Sequence, residues 1–239
     1  MSKKEIEHLE SISSFYEKGD HMDELMVDRE IEIIKRYHVK GKTALEVGCG
    51  SGLCTEKLNS IFDSLEVIEP SNQNIELLKK RLPDITCHQT LLADFPTDKK
   101  YDFIFFLNVI EHVEYPVSSL RHLASLLKHE GLIFITAPNC MSLNRRAGYQ
   151  MGALPSYDTL APKDYAVGHR RLYTVDMMRE HCEQADLKIL DMKGMYLKPL
   201  SETQMIALGD DVVRAFYSLG EDVPEYCASI LAIATLKYY

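Results

Sequence analysis

From Lys42 to Asn139 the chain alternates between short, almost unbroken apolar runs and amphipathic segments, and this alternation constrains the fold more than any other feature. TALEVG, LEVIEP, YDFIFFLNV and LIFITAPN read as strands, while CTEKLNSIF, NQNIELLKKRL and PVSSLRHLASLLKHE carry apolar residues at helical spacing. Strands that are apolar on both faces need cover on both, and helices crossing over between parallel strands supply it. The expectation is a doubly wound α/β fold, with residues 1–239 forming one domain.

The flanks add to this core. Residues 1–40 form an N-terminal cap of two predicted helices broken at Gly19-Asp20. Residues 140–172 interrupt the alternation for longer than an ordinary connection, and their large apolar and aromatic members from Met141 to Tyr165 predict an ordered lid. Residues 173–239 return to the sheet through the helix VDMMREHCEQA and the strands LKILDMKGM and CASILAIATLKY. The formal charge of -9 repels a polyphosphate backbone, so no nucleic-acid partner is expected. No apolar run approaches the roughly 20 residues of a bilayer span, and MSKKEIEHLE is charged and helical rather than a signal peptide, which together predict a cytoplasmic chain without membrane contact. The six cysteines include no CxxC pair and read as reduced.

The stretch TALEVGCGSG, at the end of the first strand, holds Gly48, Gly50 and Gly52 at alternate positions. In a doubly wound sheet this loop faces the ligand crevice. A dinucleotide site would read GxGxxG, the third glycine letting the helix pack closely beneath a pyrophosphate, but position 53 is Leu. The pattern therefore favours a ligand lying over the loop without a pyrophosphate. Glu69 closes the second strand, where a carboxylate accepts from both ribose hydroxyls and repels a 2'-phosphate.

EVGCGSG, IEPS, LLADFP, YDFIFFLNVIEHVEYP and LLKHEGLIFITAPN together resemble the successive motifs of class I S-adenosylmethionine-dependent methyltransferases, nearest the ubiquinone-type and natural-product small-molecule branch. The resemblance is strong over Lys42 to Asn139 and looser from GHRRLYT onward. It implies a Rossmann-like, mostly parallel seven-stranded sheet, with the lid inserted after the fifth strand, and S-adenosyl-L-methionine as cofactor. It also implies that Glu46, Gly48, Cys49, Gly50 and Gly52 hold the methionine part, Glu69 with Pro70 and Ser71 the ribose, and Asp94 with Leu92 and Ala93 the adenine. Asn108 and Val109 would line both cofactor and acceptor, and Tyr16 and Arg29 would close over the methionine carboxylate.

Methyl transfer needs alignment first and a base second. His112 and His169 are the candidate catalytic residues, because histidine titrates near neutrality; bracing of a loop is the competing role for His112. NVIE replaces the Asn-Pro-Pro-Tyr of enzymes that grip planar amino groups, and the oxygen ligands of catechol-type enzymes are missing, so the expected site is metal-free. Between Cys140 and Val175, Arg145, Arg146, Lys163, Arg170 and Arg171 face only Asp158 and Asp164, a reversal that favours an anionic small-molecule acceptor. Arg145, Arg170, Arg171 and Tyr173 are the candidate acceptor-binding residues. Methyl transfer to a hydroxyl or carboxylate oxygen leads; N-methylation of a small amine or amino sugar, and a non-catalytic cofactor-binding subunit, are the alternatives. The chain is expected as a monomer or homodimer.

Overall fold

A computed structural model describes residues 2–13, 21–37, 42–96 and 98–237. Helices α1 (Ser2–Ser13) and α2 (His21–Lys35) precede β1 (Thr43–Val47), α3 (Leu53–Asn59), β2 (Ser64–Ile68), α4 (Asn72–Arg81) and β3 (Thr86–His88). A 3-10 turn at Leu92–Asp94 leads into β4 (Tyr101–Leu107), α5 (Pro116–Leu126) and β5 (Leu127–Pro138). Then follow α6 (Leu143–Gln150), α7 (Pro162–Ala166), α8 (Val175–Gln184), β6 (Leu187–Gly194), α9 (Glu202–Ala207), α10 (Asp210–Gly220) and β7 (Ser229–Leu236).

The strands form one seven-stranded sheet in the order β3-β2-β1-β4-β5-β7-β6. All neighbours are parallel except that β7 runs antiparallel to both β5 and β6. The sheet is the mostly parallel, doubly wound one expected. Its strand order reverses between β1 and β4, which places the ligand crevice at the carboxyl ends of those two strands.

Side-chain alternation along the strands builds two apolar layers. Leu45, Val47, Ile104, Phe106, Ile133 and Ile135 meet α5 and α8 on one face. Ala44, Phe103, Phe105 and Phe134 meet Ile31, Ile34, Leu58 and Leu78 of α2, α3 and α4 on the other. Local signals start the helices: Ser71 accepts from the Asn74 amide at the head of α4, Thr174 accepts from the Met177 amide at the head of α8, and Pro116 opens α5.

Two boundaries depart from the sequence reading. The stretch LKHE, expected to end α5, begins β5 instead, because Leu127 pairs with Tyr101 on β4 and strand pairing outweighs helical spacing there. Between β6 and β7, α9 and α10 stand where no helix was predicted; Met205, Val213 and Tyr217 close a third apolar cluster with Met22, Leu25 and Tyr196. The lid segment is ordered as α6, α7 and turns. Among the described residues no helix is long and apolar enough to cross a membrane, and the six cysteines are free thiols.

Candidate active site

The glycine loop leaves β1 with Gly48, Gly50 and Gly52 all at positive φ. Gly48 could not carry a side chain: at φ +77° a Cβ would lie 2.9 Å from Val109 Cγ2, so the loops after β1 and β4 touch across the switch point. Asn108, just past β4, is itself left-handed at φ 54°, held by its amide donating to the Thr136 hydroxyl at 2.8 Å. A non-glycine residue in that region stores strain of the kind found at binding sites.

Two buried carboxylates flank this cradle. Glu69 accepts from the Ser71 amide at 2.9 Å and the Cys49 amide at 3.1 Å, so it ties the glycine loop to the head of α4. Burial raises its pKa, and those two amides act in the opposite direction. Glu46 is buried beneath the loop with Oε2 unpartnered, and burial pushes its pKa up to about 7. Glu30 of α2, also buried, is pushed up to about 8 by desolvation and by Glu46 beside it.

A second buried cluster forms where the loop after β4 meets the end of the lid. Glu111 is 1% exposed, and its Oε1 lies 3.8 Å from His169 Nε2 and 4.0 Å from His112 Nε2. The two imidazoles meet edge to face with centroids 4.9 Å apart. Asp164 binds His169 Nδ1 at 3.1 Å, which turns His169 Nε2 toward Glu111. Burial, then His169, lowers the His112 pKa to about 4, while burial raises that of Glu111 to about 7. His112 is thus a neutral ring and a weak base; Glu111 is matched to neutral pH. Among the described residues these three side chains form the one such group whose possible ligand atoms all lie within 4.8 Å, a spacing that a divalent cation could bridge. Helix α1 covers this end: a Cβ on Gly168 would meet Ile12, His8 and His112.

Sequence reading missed Glu111, although it stands next to His112 in IEHV, because an acidic residue after a strand gives no sign of its burial. From the sequence, Asp164 is only a charge opposing the lid arginines. The structure brings His112 and His169 together, as it does Glu46, Glu69, the three glycines and Cys49.

Other expected residues land elsewhere. Tyr173, expected at the acceptor, is fully buried in the core with its hydroxyl 3.2 Å from His181 Nδ1, because residues 139 and 173 bridge at the end of β5. Arg29, expected over the methionine carboxylate, pairs with Glu32 at 2.8 Å and with Glu221 beyond α10. Arg171 donates to the carbonyls of Ile110, Val113 and Glu114. Arg170 donates to the His112 carbonyl at 2.7 Å and pairs with Glu5 of α1 at 2.9 Å. Arg145 donates to the carbonyls of Tyr157 and Thr159. As placed, Arg170 and Arg171 brace the loop after β4 rather than line an open acceptor site, while Arg145 keeps Nη1 off those carbonyls, 4.0 Å from Asp164 Oδ2. Leu92 is buried; Ala93 and Asp94 are exposed on the 3-10 turn, and Pro70 and Ser71 flank the Glu69 carboxylate. Tyr16 lies outside the described residues.

The glycine cradle tied to a strand-end carboxylate thus lies at the carboxyl ends of β1 and β4, where doubly wound folds bind their ligands. Residues 20–191 match the family model described as a methyltransferase domain, and the chain belongs to that family. It is a class I S-adenosylmethionine-dependent methyltransferase. Among its relatives, the ubiquinone biosynthesis O-methyltransferase of Rickettsia felis is 24% identical over 96% of this chain and 98% of that one. The enzyme of the same name from Actinobacillus pleuropneumoniae serotype 5b is 25% identical over 68% and 72%. The N-methyltransferase NodS from Bradyrhizobium japonicum WM9, solved with S-adenosyl-L-homocysteine, superimposes with a TM-score of 0.62 at 13% identity, covering 99% of this chain and 98% of that one. A possible histamine N-methyltransferase from Thermotoga maritima gives 0.63 at 18%, covering 88% and 89%. At such identities the solved structures show a shared fold.

Proposed function

We propose that this chain methylates an oxygen, foremost a hydroxyl, of a small anionic metabolite. The observation that carries the proposal is the Glu111–His112–His169 cluster, a buried proton-accepting group built on the loop after β4, whose Val109 lies against Gly48. The two sequence relatives named above are both O-methyltransferases, which supports oxygen as the atom methylated. The cradle fits the cofactor: a site closed to any Cβ at Gly48, an unpartnered buried oxygen on Glu46, and a Glu69 carboxylate whose placement suits vicinal hydroxyls. S-adenosylmethionine, when bound, supplies a sulfonium methyl.

The chain's own residues then have these roles. Gly48, Cys49, Gly50 and Gly52 with Glu46 hold the amino-acid end. Glu69, Pro70 and Ser71 hold the ribose, and Leu92, Ala93 and Asp94 the base. Asn108 and Val109 separate donor from acceptor. Glu111, with His169 oriented by Asp164, takes the hydroxyl proton; a base of this kind contributes about 10² to 10⁴ in rate, less than alignment does.

A second reading is favoured by the ligand-like spacing of Glu111, His112 and His169. In it the three side chains would hold a divalent cation, which would supply Lewis acidity to a hydroxyl acceptor. Product analysis with methyl-labelled cofactor tests the main proposal: label on oxygen supports it, and label on nitrogen refutes it.

A further inference from the structure

The lid arginines are engaged on backbone carbonyls, yet one cationic group nearby is not engaged in that way. Lys198, in the loop between β6 and α9, has a side chain only 17% exposed, and the carboxylate it faces, Glu202 Oε2, stands 3.8 Å away. The amide of Asn144 donates to the Lys198 carbonyl at 3.1 Å, which fastens this loop to the start of α6, where Arg145 lies. Burial lowers the Lys198 pKa, Glu202 acts the other way, and Lys163 and Arg145 add smaller opposition to its charge. Asn144 Oδ1, buried beside them, has no hydrogen-bond partner.

The cluster joins directly to the proton-accepting groups. Arg145 Nη1 is 4.0 Å from Asp164 Oδ2, Asp164 Oδ1 is 3.1 Å from His169 Nδ1, and His169 Nε2 is 3.8 Å from Glu111 Oε1. Cations withdrawn from water are stable only with close counter-charge, and here the counter-charge in the protein is distant or shared. Arg145 has two of its donor nitrogens fixed on Tyr157 and Thr159, so it acts as a rigid positive wall; Lys198 and the exposed Lys163 keep mobile ammonium donors.

We infer that Lys198, with Arg145 and Lys163, seats the anionic group of the acceptor, a carboxylate or a phosphate, so that the reacting hydroxyl reaches the Glu111–His169 pair. That the seated anion belongs to the acceptor rests on the methyl-transfer reading above; the anion seat itself does not. It replaces Arg170 and Arg171, whose donors are spent on the crevice wall, with a residue the charge pattern of the lid did not include.

The test is calorimetric titration of the whole protein with phenyl phosphate and with phenol, its neutral counterpart, with and without S-adenosylhomocysteine. Phenyl phosphate is expected to bind roughly tenfold tighter than phenol. Lys198→Met is expected to cut that preference to roughly threefold or less and Lys198→Arg to keep it, with S-adenosylhomocysteine affinity unchanged to within about twofold in both. No preference in the unaltered protein, or a preference that Lys198→Met leaves intact, overturns the inference. If Lys198→Met fails to fold, Lys163→Met, at an exposed position, carries the test with a smaller expected loss, and an unchanged preference there counts against the seat. Anion preference without S-adenosylhomocysteine binding would instead refute the cofactor reading and leave the seat standing.

Discussion

The two ends of the crevice are built by different rules. At the cofactor end, every proposed group rides on a strand end or on the turn that follows it, and the contacts that fix Glu69 come from Cys49 and Ser71, 20 and 2 residues away. At the acceptor end, the loop after β4 meets the end of the lid 58 residues later, and arginines donating to carbonyls hold the two together. Sheet pairing positions the first end before any ligand arrives. The second depends on how the lid and α1 pack.

The largest expected effect lies at the rigid end. Glu69→Ala removes charge-assisted hydrogen bonds and is expected to weaken S-adenosylhomocysteine binding by about 1.5 to 3 kcal/mol. Calorimetry showing equal affinity would remove Glu69 from the cofactor site.

At the packed end the corresponding substitution is Arg171→Ala. It strips donors from three carbonyls and is expected to cost about 1 to 3 kcal/mol of stability, seen as a lower melting temperature, with cofactor affinity nearly unchanged. An unaltered melting temperature with a raised acceptor KM would return Arg171 to the role that the lid's charge pattern first suggested.

What was legible in the sequence follows the same division. The apolar alternation revealed the sheet, and EVGCGSG with Glu69 revealed the glycine turn and the carboxylate tied to it, because strand period and turn chemistry are local. Glu111 was passed over because its character comes from burial, and Tyr173 was misplaced because only the bridge to Asn139 draws it into the core. Arg29 paired with Glu221, 192 residues away, a partner that no spacing rule could supply. Helices α9 and α10 escaped notice because their apolar faces make sense only against α2 and Tyr196.

A third effect concerns the acids under the cradle. Burial raises the folded pKa of Glu30 to about 8, above the 4.5 of a free glutamate. Its contribution to stability is therefore fully present below about pH 4.5 and is lost as pH rises through about 8. Glu30→Gln removes that titration, so its thermal stability is expected to fall less than that of the parent protein between about pH 5 and 8, by at least about 1.4 kcal/mol. Parallel pH profiles for the two proteins would show that Glu30 does not titrate in this range.

The smallest effect is expected from chelation. With Glu111 and His169 acting as a base, EDTA leaves turnover unchanged. Loss of turnover that manganese or zinc restores would favour the cation reading and make the packed end a metal centre.

The most direct measurement is to incubate the purified protein with methyl-labelled S-adenosylmethionine and a metabolite extract, then identify by mass spectrometry every small molecule that gains one labelled methyl. The expected result is an anionic product labelled on oxygen, absent when Glu69→Ala replaces the parent protein. A product labelled on nitrogen, a neutral acceptor, or no labelled small molecule at all would contradict it.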